Sequence, residues 1–135
     1  MANTPKMSVK FRTRHKDKES YQRYLLLNRP PFNIIVSYNK KKLSIPCAFR
    51  CRVIPAWDIF QQLNADGFPK DANNTDPQVT KCSDLLQVTK RTYLATLEKA
   101  VKEGVWDSMN VEGFICYLLE NRDEIDKVVR YRRKW

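Results

Sequence analysis

The residues best placed to do chemistry are cations. Lys10, Arg12 and Arg14 recur at every second position, Lys40, Lys41 and Lys42 form a run, and Arg50 and Arg52 stand two residues apart. In an extended chain a spacing of two puts side chains on one face, so each set would present a row of positive groups. Such rows suit an anionic partner. Arg and Lys reach phosphate oxygens and guanine acceptors in a major groove about 12 Å wide, which also admits a β-ribbon. Lys16 and Arg23 extend the same basic surface. The competing reading is a sheet edge kept soluble by its charges.

Other chemistries find less support. Gly67, Gly104 and Gly113 are too far apart to form a phosphate-cradling loop. His15, the one histidine, stands in a charged turn with no partner Cys or Ser in reach by sequence, and reads as part of the basic surface. Cys47 and Cys51 make a single close pair within an expected strand, while Cys82 and Cys116 are isolated; buried thiols fit this better than tetrahedral zinc, which usually needs two close pairs. A zinc-dependent module is a further alternative. Asp123, Glu124 and Asp126 fall at an expected helix start, where carboxylates favour the helix dipole. No catalytic residue, metal ligand or cofactor is assigned.

The elements that must position the cations read as strands first and helices after. Met7, Val9, Phe11 and Thr13 alternate with Ser8, Lys10, Arg12 and Arg14, a half-buried strand with a cationic outer side. After a charged turn, the apolar pattern of 21–27 is expected to pair back as a second strand, and Asn28-Arg29-Pro30-Pro31 breaks it. Ile34, Val36 and Tyr38 alternate with Asn33, Ile35 and Ser37, residues 39–42 supply a turn, and Leu43 and Ile45 return, so a hairpin is expected. Residues 48–54 extend the pattern, with Arg50 and Arg52 outward and Phe49, Cys51 and Val53 inward.

Residues 58–63 could form a helical turn, and the Asn-, Asp-, Gly- and Pro-rich stretch 64–81 reads as a long loop, either mobile or functional. Thr80 or Ser83 can cap a helix to about Glu103, with Leu86, Tyr93, Leu97, Ala100 and Val101 on one stripe and Gly104 at its end. A second helix follows Asn110, carrying Val111, Phe114, Ile115, Leu118 and Leu119, with Gly113 its weak spot. The fold class is α+β, a small antiparallel sheet of about three strands followed by two or three helices. Its expected divisions are a disordered 1–7, one domain over 8–121 (basic sheet 8–57, loop 64–81, helical part 82–121), and a short helix with a basic, aromatic tail over 122–135.

Charge is segregated along the 135 residues. Residues 1–57 hold 13 Lys/Arg against 2 Asp/Glu, 58–126 hold 7 against 13, and 127–135 hold 5 against none, for a net +10. That is an electrostatic footprint for a polyanion, and nucleic acid fits better than a membrane because no apolar run is long enough to span a bilayer. A hydrophobic share of 42% favours a packed core over disorder. Residues 1–10 lack the apolar core of a signal peptide, so a cytoplasmic protein with reduced thiols is expected.

A basic first strand, Tyr38-Asn39-Lys40-Lys41-Lys42, Leu43-Ser44-Ile45-Pro46, Pro55-Ala56-Trp57-Asp58, and two helices split by Glu103-Gly104-Val105-Trp106-Asp107-Ser108-Met109-Asn110 form a recognisable series. It resembles the N-terminal arm-type DNA-binding domain of tyrosine recombinases, the phage and transposon integrases, in the version carried by mobile elements of Bacteroidetes. The resemblance covers roughly 8–121 through short motifs. It implies a three-stranded sheet laid into the major groove of duplex DNA, with Arg12 and Arg14, Lys40 to Lys42, and Arg50 and Arg52 at contact positions. Trp57 would be structural. The double proline, the long loop and the segment after Asp123 depart from the pattern, and the recombinase catalytic domain is not in this chain, so a non-catalytic arm domain or fragment is implied. Duplex DNA is favoured over RNA. The alternative is an interaction or regulatory protein, viral or otherwise RNA-handling, whose acidic helices dock a protein partner.

Overall fold

Alternation makes the sheet. In the computed structural model, which describes residues 6–120, Val9 and Phe11 point inward from β1 (Ser8–Arg12), and β2 (Asn33–Tyr38) and β3 (Lys41–Pro46) bury Ile34, Val36, Leu43 and Ile45 on the same side. The sheet is antiparallel in the order β1-β2-β3, as expected for α+β. Asn39 and Lys40 both have positive φ (50° and 68°) and form a two-residue hairpin turn whose twist matches the strands. The turn is shorter than the expected four residues. Lys41 and Lys42 therefore belong to β3 and point to opposite faces.

Residues 21–27 are not a strand. They lie in a helix, α1 (Lys18–Leu26), which the side chain of Asp17 caps by accepting the Ser20 N–H at 2.8 Å. It ends where Asn28 turns left-handed (φ 55°): the Arg29 N–H reaches the Tyr24 carbonyl at 2.8 Å, the Asn28 N–H reaches that of Leu25, and Pro30 stops further winding. Tyr21 anchors the helix. Its ring is fully buried against Trp57 (centroids 5.4 Å) and Phe60 (5.7 Å), and its hydroxyl donates to the Pro55 carbonyl at 2.7 Å. Trp57 and Phe60 belong to a short helix, α2 (Trp57–Phe60), and its Asp58 makes an exposed ion pair with Lys18.

Residues 48–54 are likewise not a strand. Arg50 has φ 56°, which no strand residue adopts, the Phe49 carbonyl accepts the Tyr93 hydroxyl at 2.5 Å, and the Arg52 N–H donates to Thr89 Oγ1 at 3.0 Å. The segment is a loop fastened onto a helix behind the sheet.

That helix, α3 (Pro77–Lys102), starts three residues before the earlier of the two expected caps, because Asp76 accepts the Gln78 N–H and Pro77 sits in its first turn. Ser83 instead donates to the Gly67 carbonyl at 2.8 Å. Gly104 (φ 73°) ends the helix, with the Val105 N–H returning to the Ala100 carbonyl. A 3₁₀ turn (Trp106–Ser108) leads to α4 (Val111–Glu120). α3 packs on β1 and β2, α4 on β3 and α3, so Leu86, Tyr93, Leu97, Phe114 and Leu118 close the core over the inner sheet face. The expected helix and tail over 122–135 lie outside the described residues, as does most of 1–7. Among the described residues no helix is long and apolar enough to cross a membrane.

Candidate nucleic-acid interface

Register places the outer face. Side chains paired across the strands share a face, giving three rows: Ser8, Ser37 and Lys42; Lys10, Ile35 and Ser44; Arg12, Asn33 and Pro46. At ordinary strand dimensions this face spans about 13 Å along the strands and about 10 Å across them, close to the width of a major groove. It is concave, a groove of about 510 Å³ walled by Lys10, Arg12, Arg14 and Lys42 and floored by residues including Asn33 and Ser44, with no carboxylate in its lining. Arg12, Arg14 and Lys42 are exposed. Short hydrogen bonds hold the floor: Ser8 Oγ to Ser37 Oγ at 2.5 Å and Asn33 Nδ2 to Ser44 Oγ at 2.7 Å.

Of the ten cations singled out by sequence, these four come together. Lys40 stays exposed at the hairpin tip. Lys41 turns to the inner side, where its ammonium donates to the carbonyls of Trp106 (2.7 Å) and Asp107 (2.9 Å) and lies 5.2 Å from the Trp106 ring centroid. It clamps the hairpin to the 3₁₀ turn, an anchorage completed by Trp106 Nε1 donating to the Tyr38 carbonyl at 3.1 Å. Lys16 is exposed in the connection between β1 and α1 and does not line the groove, and Arg23 pairs with Glu19 along α1.

Arg50 and Arg52 also leave the ribbon. Arg50 donates to the Leu119 carbonyl near the end of α4, and Arg52 is 8% exposed. We expect Arg52→Ala to lower the urea-unfolding midpoint by the equivalent of about 1–3 kcal/mol, the usual cost of removing a buried, packed side chain. If the sheet face binds a duplex, affinity of the folded variant for it should not change. An unaltered midpoint with weakened duplex binding would return Arg52 to the contact surface.

The long segment before α3 is built rather than loose. Asn64 Oδ1 accepts the N–H groups of Asp66 and Phe68, and the Ala65 carbonyl accepts the Phe11 N–H at 2.8 Å, which covers the free edge of β1. Gly67 (φ 84°) makes the approach possible, since a Cβ there would meet Phe11 Cε2 and Gln87 Nε2 at 3.0 Å. The segment brings Asp66 to Lys10 (2.5 Å) and Lys90 (3.3 Å). The Lys10 hydrogen bond, chiefly, holds the Asp66 carboxyl below its ordinary range, with Lys90 adding to it and partial burial opposing. The pairing is therefore intact above the ordinary carboxylate range and is lost only as pH falls through the lowered value.

Asp66 occupies Lys10 as a phosphate would. If this face binds a duplex, Asp66→Asn should raise that affinity about two- to fivefold, the scale of an exposed ion pair. Fluorescence anisotropy at fixed salt checks it; unchanged or weaker binding would mean that Asp66 does not compete.

Nothing in the sequence reading picked out Asp66, Asn33 or Ser44 as site residues. The alternation did place Asn33 on the outer face; Asp66 reaches Lys10 only through a turn that sequence spacing does not reveal. His15, by contrast, does have a serine partner, with Nδ1 2.7 Å from Ser20 Oγ. Cys47 is fully buried, and burial pushes its thiol up to about 12, so it stays neutral at physiological pH. Among the described residues no three of His, Cys, Asp and Glu stand close enough to hold a metal ion. No family model matches this chain, and comparisons with curated proteins and with solved structures give no match.

Proposed function

We propose that this chain is a non-catalytic nucleic-acid-binding module that holds duplex DNA against the outer face of its three-stranded sheet. The observation that carries the reading is the groove itself. It gathers Arg12, Arg14 and Lys42 around hydroxyl and amide groups, with Lys10 paired to Asp66 at its edge, and lies opposite the face that the helices bury. Cations on such a surface supply phosphate contacts, while Asn33, Ser44 and Ile35 face the base edges, where an amide can pair with adenine and an apolar side chain can meet the thymine methyl. The resemblance of its short motifs to integrase arm domains is the reason we also propose a cytoplasmic protein acting in DNA recombination on a mobile element.

Anisotropy of a labelled duplex, measured at several salt concentrations, tests the reading. With Lys10 held by Asp66, three phosphate contacts from Arg12, Arg14 and Lys42 give a slope of log affinity against log salt of about −3. Tighter binding to single-stranded RNA, or no duplex binding at low salt, would overturn it and turn attention to a protein partner.

A further inference from the structure

The basic groove continues past the end of the sheet. Next to it, past Arg12 and Asn33, lies a second concavity of about 230 Å³, walled by His15, Tyr24, Pro30 and Pro31, with Arg12, Arg14 and Asn33 lining both spaces. Its walls are fixed from several sides. The Tyr24 ring meets the His15 ring edge-on at 4.3 Å, and Ser20 holds His15 Nδ1 at 2.7 Å. Thr13 Oγ1 donates to the Pro31 carbonyl at 2.7 Å and accepts the His15 N–H at 3.1 Å. The left-handed turn at Asn28, closed by the Arg29-to-Tyr24 hydrogen bond, sets the two prolines, whose φ angles are fixed by their rings. This is the Arg29-Pro30-Pro31 interruption that the duplex reading leaves without a role.

Arginines in the lining, an aromatic wall and an apolar proline side together suit a nucleotide. The space is smaller than the roughly 300–1,000 Å³ of sites for drug-sized ligands, which limits it to one base. Resting on the duplex reading of the adjoining groove, we infer that this pocket takes the first unpaired nucleotide beyond a duplex end. Its phosphate lies between Arg12 and Arg14, and its base stacks on Tyr24. The substrate class is then a duplex with a single-stranded extension rather than an uninterrupted duplex.

The test compares a blunt duplex with the same duplex carrying two-nucleotide 5′ or 3′ overhangs, for the wild-type chain, Tyr24→Ala and Tyr24→Phe. At least one overhang should bind about tenfold tighter than the blunt end, the scale of one base stacked on one aromatic ring. Tyr24→Phe should keep that gain and Tyr24→Ala lose it, with blunt-duplex affinity equal in all three proteins, which also reports that they are folded. Equal affinity for blunt and overhanging duplexes, or a gain that survives Tyr24→Ala, overturns the inference while leaving the duplex reading standing. Absence of binding to every probe overturns both.

Discussion

Replacing Arg12, Arg14 and Lys42 together by alanine is expected to lower duplex affinity about 100-fold near physiological salt and to make the salt slope shallower by about three. All three side chains are exposed, and none makes an ion pair with another described residue. Their loss takes little from the native state, because surface substitutions away from packed features usually stay within about 0.5 kcal/mol. Thermal unfolding of the triple variant should therefore stay near that of the parent. Retained affinity with an unchanged slope would remove the sheet face from the contact surface. A matched loss of stability and binding would instead make these residues structural.

The largest effect on stability is expected at Phe114. Its ring is fully buried between Tyr93 (centroids 6.0 Å) and Trp106 (6.3 Å), and Trp106 in turn holds the hairpin through Tyr38 and Lys41. Phe114→Ala leaves a cavity where α3, α4 and the 3₁₀ turn meet, and large-to-small changes of this kind cost about 3–5 kcal/mol. Against a total of about 5–15 kcal/mol for an ordinary domain, that is a large fraction. The melting temperature should fall by roughly 10–20 °C. A loss under about 1 kcal/mol would mean that the site collapses around the smaller side chain and that Phe114 does not brace the Trp106 anchorage of the hairpin.

Much of this architecture is legible in the chain, and the misreadings have physical causes. Strict alternation identifies β1 and the hairpin, and periodicity identifies the stripes of α3 and α4, because in these segments the local pattern and the tertiary burial agree. In residues 18–26 they compete. The apolar run from Tyr24 to Leu27 resembles a strand, and what decides for a helix lies at its ends: an Asp17 side chain that caps it and an Asn28 that accepts the left-handed turn. Residues 48–54 alternate as a strand would, but Tyr93 and Thr89, more than 35 residues away in sequence, take their backbone groups. No local signal carries that. The same failure moved Arg50 and Arg52 off the ribbon, while a turn two residues shorter than expected put Lys41 on the inner side of the sheet.

The candidate groove was thus half visible. Lys10, Arg12, Arg14 and Lys42 follow from period two once the turn is placed correctly. The concavity of the face, the capture of Lys10 by Asp66 and the aromatic pocket beyond Arg12 depend on chain paths that spacing does not fix.

Whether DNA lies on the outer sheet face is decided by amide chemical-shift mapping of ¹⁵N-labelled protein titrated with duplex DNA. The perturbations should cluster at the backbone of Lys10, Arg12, Asn33, Ile35, Lys42 and Ser44, with the buried stretch of α3 around Tyr93 and Leu97 unmoved. Perturbations confined to α1 or α4, or none at low salt, would contradict that placement.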